Sequence, residues 1–167
     1  MNPLVLTVQL APAIQSRFDA ERARFFPPGR TQVGAHITLF HALPGAEVEQ
    51  LLVDLTAVSR RPPFDLAVTG LMALGHGVAY RIESTTLHRL HRGLQQRWQV
   101  HLSRQDQHGF RPHVTVQNKV DVATARRTQA ELEAGFQPFA TPAVGLQLWD
   151  YLGGPWQLRC TLPFQAG

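Results

Sequence analysis

Two short segments of this chain repeat one arrangement of chemically competent side chains. The first reads His36-Ile37-Thr38-Leu39 and the second His113-Val114-Thr115-Val116. In an extended strand every second side chain shares a face. His36, Thr38 and Phe40 are therefore expected together on one strand face, and His113, Thr115 and Gln117 on another. Ile37, Leu39, Val114 and Val116 would point into cores. A single His-x-Thr is a weak signal in a chain with eight histidines. Two copies, each in a short apolar strand, are a far stronger one. The competing structural reading is a pair of half-buried histidines bonded to their own threonine hydroxyls. Two opposed imidazoles flanked by hydroxyls suit in-line displacement at phosphorus. One neutral ring takes a proton from water, and one imidazolium protonates the leaving oxygen. The hydroxyls donate to nonbridging oxygens, where negative charge builds. This chemistry needs no metal and no cofactor. Asp and Glu together number twelve, and none lies beside either motif to complete a carboxylate-rich metal site.

The elements that must position these residues follow from periodicity and punctuation. Residues 4–10 alternate as a strand, and a helix is predicted over 13–26, opened by Pro12 and stopped by Pro27-Pro28-Gly29. A strand over 35–42 carries the first motif. A helix over 46–58 has Val48, Leu51, Leu52 and Leu55 on one face. Strands over 64–74 and 78–82 join across Gly75-His76-Gly77, a hairpin signal. The order then recurs. A helix is predicted over 86–101 and a strand over 112–117 with the second motif. A helix capped by Asp121 runs to 134, and strands over 139–152 and 156–162 turn at Gly153-Gly154-Pro155.

The register of this recurrence points to an internal repeat, about 13–83 and 86–163, within a single bilobal domain spanning 1–167. His36 and His113 are 77 residues apart, and Tyr80-Arg81-Ile82 and Leu158-Arg159-Cys160 are 78 apart. The expected fold is α+β: two pseudo-symmetric lobes, each a mainly antiparallel sheet with outer helices, and an active-site cleft between them.

Composition fits this size and class. The chain has 167 residues, 44% hydrophobic and 17% charged, which suits a folded globule and excludes a disordered tail or coiled coil. No apolar run approaches the ~20 residues of a membrane span. Residues 1–13 lack an early Lys or Arg and read as a strand rather than a signal peptide. The lone Cys160 excludes an intrachain disulfide, and a cytoplasmic location is expected. The net charge is +4, and Lys119 is the only lysine among sixteen basic residues. Guanidinium forks suit phosphate, while arginine bias in a GC-rich genome explains the same count.

The twin motifs resemble the His-x-Thr/Ser-x signature of the 2H phosphoesterase superfamily, and within it the RNA 2′,3′-cyclic phosphodiesterase family, historically called 2′-5′ RNA ligases. The run 35–45, Phe110-Arg111-Pro112 and Gly153-Gly154-Pro155-Trp156 add to the resemblance, which spans nearly the whole chain. It implies a bilobal α+β fold with His36 and His113 as general acid and base, and Thr38 and Thr115 binding phosphate. It implies hydrolysis of a terminal 2′,3′-cyclic phosphate to a 2′-phosphomonoester, with His36 protonating the leaving 3′ oxygen and His113 activating water. Many members also join or cleave 2′-5′ linkages. Where members often carry an arginine after the second motif, this chain has Gln117-Asn118-Lys119, so Lys119 or Arg111 would take that place.

Other side chains carry expectations of their own. Phe110 and Arg111 precede only the second motif and are candidate substrate contacts, Phe110 as a platform for a base. Phe40 is expected in the core. His41 is read as structural, on the strand face opposite His36, and His88 and His91 as part of a solvated helix face. His76 is expected in solvent. Tyr80, Trp149, Tyr151 and Trp156 either line the cleft or fill it, and Arg81 and Arg159 face phosphate or solvent. Partners are expected to be RNA ends or small nucleotide phosphodiesters, such as a cyclic phosphate of ADP-ribose or a 2′-5′ oligoadenylate, with no membrane and no obligate protein partner. An RNA-binding module with a silent site is the reading outside enzymology, against which the intact motifs argue.

Overall fold

Seven strands and four α-helices alternate along the described residues, 1–30 and 33–166 of a computed structural model. The order is β1 (Leu4–Leu10), α1 (Pro12–Phe25), β2 (Thr38–Leu43), α2 (Val48–Val58), β3 (Phe64–Ala73), β4 (Val78–Glu83), α3 (Thr85–Arg97), β5 (His113–Gln117), α4 (Val122–Gly135), β6 (Phe139–Tyr151) and β7 (Trp156–Pro163). This is the expected α+β class, built on a curled antiparallel sheet. Every pairing is antiparallel, in the order β2-β1-β6-β3-β4-β5, with β7 also on β6. The two strand groups share one hydrogen-bonded sheet rather than forming two separate ones. The reason is the length of β6. Its first residues pair with β3, and from Ala143 onward it pairs with β1.

Local chemistry sets the helix ends. Pro12 opens α1, and the Pro27-Pro28 pair follows its end, with Gly29 at φ 74. Ser84 caps α3 by accepting from Leu87 N–H at 3.0 Å, and Asp121 caps α4 by accepting from Thr124 N–H at 2.7 Å. Two expected helices are shorter than their periodicity suggests. The stretch before α2 winds as a 3-10 turn at Gly45–Glu47. α3 stops at Arg97, where Trp98 is buried and donates through Nε1 to Asp54 of α2 at 2.9 Å. The next residues form a separate 3-10 turn, Gln99–His101.

The first motif departs from simple alternation. β2 begins at Thr38, so His36 lies ahead of the ladder instead of within it. The β1–β2 register is irregular, pairing Leu6 with Phe40 but Thr7 with Thr38. Leu39 and Phe40 are consequently both buried, and Phe40 packs in the core against Trp98. In β5 the alternation holds from His113 to Val116. Gln117 is buried, however, and donates to Thr128 Oγ1 of α4 at 2.7 Å, so it anchors a helix and does not line a cleft.

The β3–β4 hairpin clasps the loop after β5. The His76 carbonyl accepts from Val120 N–H at 3.2 Å, and the His76 Nδ1 bonds the Val120 carbonyl at 3.0 Å. Its neighbour Gly77 packs so closely that an added Cβ would lie 1.9 Å from the Gln117 carbonyl oxygen. Among the described residues no helix is long and apolar enough to cross a membrane. Gly77→Ala must push two backbones apart. It is expected to cost about 1–3 kcal/mol and to lower the thermal midpoint by several degrees in a calorimetric scan. An unchanged midpoint would contradict this close approach.

Candidate active site

Helix α1 holds both motif segments. Asp19 Oδ1 accepts from Ala35 N–H at 2.7 Å and Gln15 Nε2 donates to the Ala35 carbonyl at 2.8 Å. The residue before His36 is thereby fixed, although it lies outside the ladder. Val8 of β1 adds a bond to the Ile37 carbonyl at 3.0 Å. Farther along α1, Arg22 Nη1 donates to the Thr115 carbonyl at 2.7 Å. Ile14, Phe18 and Arg22 form the buried stripe of α1, at the i, i+4, i+8 spacing of one helix face.

The two motif imidazoles are held alike. His36 Nδ1 lies 2.8 Å from the Gly34 carbonyl, and His113 Nδ1 lies 2.7 Å from the Arg111 carbonyl. A carbonyl only accepts, so each Nδ1 carries a hydrogen. Nε2 is then an acceptor in the neutral ring and a donor in the imidazolium. Burial pushes the His36 pKa down to about 4. The bond to the Gly34 carbonyl opposes this shift, while the nearby Arg22, His113 and His41 charges add to it. His36 is therefore neutral at pH 7.

His36, Thr38, Phe110, Arg111, His113 and Thr115 line one cleft of about 510 Å³. The structure thus brings together all six residues singled out as catalytic or substrate-binding. Trp156 joins them, its ring 4.6 Å from that of His36. Lys119 lies elsewhere, in a second hollow that meets the cleft at His36 and Thr115. Of the two expected stand-ins for the missing arginine, Arg111 is the one in the cleft.

Two histidines differ from expectation. His91 belongs to no solvated face: it is 5% exposed, and its ring lies between Phe40 at 4.7 Å and Phe110 at 4.1 Å. Burial pushes its pKa down to about 4, against the effects of a bond to the Leu39 backbone and the Asp106 charge. His41 lines the same cleft as His36, because the irregular start of β2 breaks the face rule that separated them. Its Nδ1 bonds Asp106 at 3.0 Å, and Asp106 also accepts from the backbone N–H groups of His41 and Ala42. These bonds outweigh burial and hold the Asp106 carboxyl below the usual range. Nothing near Asp106 in the sequence marks it; Arg22 was also missed, although its i, i+4, i+8 spacing with Ile14 and Phe18 is a signal that could have found it. The remaining candidates are structural or peripheral. Tyr80 is buried and donates to Glu21. Trp149 donates to Thr7 at 3.0 Å, Arg159 pairs with Asp150 at 2.9 Å, and Arg81 is exposed.

A sequence profile of the 2′-5′ RNA ligase superfamily matches residues 10–155. The chain belongs to this superfamily, a group of 2H phosphoesterases. No curated protein matches it by sequence. Among solved structures it is similar to TT0787 of Thermus thermophilus, at 18% identity and TM-score 0.68 over 98% of each chain. Escherichia coli LigT is similar in its complex with NADP+ (18%, TM-score 0.61) and in its complex with 3′-AMP (20%, TM-score 0.60), again over 98% of each chain. At these identities the likeness speaks for the fold.

The titrations of the site have a fixed sign. His36 and His91 bind a proton less readily folded than unfolded, and so does Asp106. As pH falls, the unfolded chain takes up these protons first, so stability falls with it. For the two histidines the loss begins near the unfolded value of ~6.5 and is complete near 4. The urea midpoint is expected to be lower at pH 4.5 than at pH 7. Imidazole NMR titration should place both rings well below the usual histidine range, and a normal titration of His91 would contradict its burial.

Proposed function

We propose that this superfamily member is a 2H phosphodiesterase that hydrolyses 2′,3′-cyclic phosphate ends of RNA to 2′-phosphomonoesters. The matched setting of the two motif imidazoles carries the reading: each has Nδ1 on the carbonyl two residues back and lines the same cleft as its own threonine. A phosphate between them would have one ring for the attacking water and one for the leaving oxygen, with Thr38 and Thr115 donating to nonbridging oxygens. The groups present supply acid, base and charge stabilisation without a metal or cofactor. Relatives add support: LigT has been solved with 3′-AMP, with NADP+ and with phosphate. Within this reading the chain works as one bilobal unit in RNA processing in the cytoplasm; joining of 2′-5′ linkages is the same displacement with a 5′-hydroxyl attacking in place of water, the 3′ oxygen again leaving, and cleavage of such a linkage is its reverse. Phosphodiesterase action on a small nucleotide is a second reading, supported by the NADP+ and 3′-AMP complexes of LigT.

The family resemblance assigns the acid role to His36 and the base role to His113. The burial of His36 favours the opposite assignment, since it pushes the pKa down to about 4 and leaves Nε2 ready to accept. An anionic phosphate in the cleft raises the proton affinity of both rings, so His36 acts as acid only once substrate is bound. A substrate with an activated leaving group separates the two assignments, because it rescues only the variant that lacks the acid.

His36→Ala and His113→Ala should each lower turnover of a 2′,3′-cyclic phosphate RNA by roughly 10²–10⁴-fold and remain folded by circular dichroism. Near-normal turnover in either variant would overturn the two-histidine mechanism. The wild-type product should carry a 2′-phosphate, and a 3′-phosphate would reverse the expected leaving oxygen. Activity should also survive exhaustive treatment with EDTA. Loss on chelation with recovery on adding back a divalent metal would refute the metal-independent reading.

A further inference from the structure

The second hollow, about 690 Å³, meets the cleft at His36 and Thr115, which line both. Its wall carries Arg22, Arg30 and Lys119, and among the described residues no acidic side chain lines it. Arg22 and Arg30 come from α1 and the turn that follows it, and Lys119 from the loop after β5. Arg22 is buried, bonded to the Thr115 carbonyl, with its guanidinium 4.3 Å from the Phe26 ring centroid. Arg30 closes the turn after α1, its N–H on the Pro27 carbonyl at 3.0 Å, with Gly29 supplying the positive φ. Lys119 sits at φ 65, a conformation non-glycine residues rarely adopt. Asn118 Oδ1 accepts its N–H at 2.9 Å, and the adjacent Val120 is clasped by His76.

Strained backbone is retained where surrounding structure over-determines it, often at ligand sites. Here it presents the chain's only lysine beside two arginines. Arg22 also feels the Asp19 charge from behind the wall, but guanidinium and ammonium groups lining a hollow whose wall carries no carboxylate favour a phosphate. The shared wall at His36 and Thr115 puts this charge next to the place where the reacting phosphorus would sit.

We propose that the Arg22–Arg30–Lys119 hollow is a second anion subsite, which takes a second phosphate group of the same nucleotide substrate. The proposal rests on the phosphodiesterase reading for the identity of the first phosphate. The second phosphate can come from the next linkage of an RNA chain or from the 5′-diphosphate of a small nucleotide.

Direct binding tests this independently of turnover. By calorimetry at low salt, adenosine 2′,5′-bisphosphate should bind wild-type protein about tenfold more tightly than adenosine 2′-monophosphate. The advantage should shrink as salt rises. Arg30→Gln with Lys119→Gln should remove most of the preference and leave monophosphate binding within about twofold. Both side chains are exposed, and each single variant should remove part of the effect, which guards against a folding artefact. Equal affinities in the wild type, or a preference untouched by the double variant, would overturn the subsite. ApA bearing a terminal 2′-phosphate and ADP bearing a 2′-phosphate identify the source: tighter binding of the first assigns an RNA chain, and of the second a small nucleotide. Cyclic-phosphate turnover is scored separately. Turnover without the bisphosphate preference sinks the subsite alone, and the preference without turnover sinks the phosphodiesterase reading alone.

Discussion

Two imidazoles 77 residues apart in sequence can share one phosphate only if something fixes one motif segment against the other. Helix α1 supplies that constraint. Its Gln15 and Asp19 fix the residue before His36, and its Arg22 holds the carbonyl of Thr115. Neither contact depends on the sheet, where β2 and β5 lie at opposite ends of the strand order. The sheet orders the strands, and one rigid helix sets the spacing. Arg22 is a buried charge, and a net hydrogen bond to a charged group contributes about 1.5–3 kcal/mol. Its removal leaves the part-buried Thr115 carbonyl without that donor, at the edge of the cleft.

A second stiff layer lies beneath the cleft. His91 is clamped between Phe40 and Phe110, which connects the β2 core to a cleft-lining residue. Asp106 gathers the backbone and imidazole of His41; its side chain is 1% exposed against 47% for His41. The same burial that makes these positions rigid depresses the proton affinities of His36 and His91. Rigidity and pH sensitivity here have one physical origin, the exclusion of water from polar side chains.

Much of this is legible in the amino-acid sequence. Apolar period, proline and glycine punctuation and capping residues placed every helix and strand to within a few residues, because those signals are local. The twin motifs marked His36, Thr38, His113 and Thr115 for the same reason, and Phe110 and Arg111 were marked by their place just ahead of the second motif. What escaped was non-local. The face assignment for His41 assumed unbroken alternation, and the β1–β2 irregularity at Phe40 is a property of pairing, not of either strand alone. The burial of His91 depends on an aromatic stack between three distant segments. Gln117 shared a strand face with His113 on paper, yet its amide found Thr128 on α4. The joining of two strand groups into one sheet reflects the reach of β6, which no short window reveals.

If the two histidines divide the roles of acid and base as proposed, the near-equivalence of the motifs leaves open what would distinguish them. Their hydrogen bonds do not distinguish them, since both Nδ1 atoms rest on the carbonyl two residues back. Their surroundings do. His36 lies against Trp156, near the buried Arg22, and lines both hollows, whereas His113 follows the exposed Arg111 and lines only the cleft. The water-poor, positively charged setting of His36 disfavours a proton until an anion arrives. In the proposed reaction, substrate charge would promote protonation of the site as well as being its target. In the proposed mechanism the asymmetry of the reaction would be carried by the ground around the motifs, which is how two similar segments, His36-Ile37-Thr38-Leu39 and His113-Val114-Thr115-Val116, would divide opposite tasks.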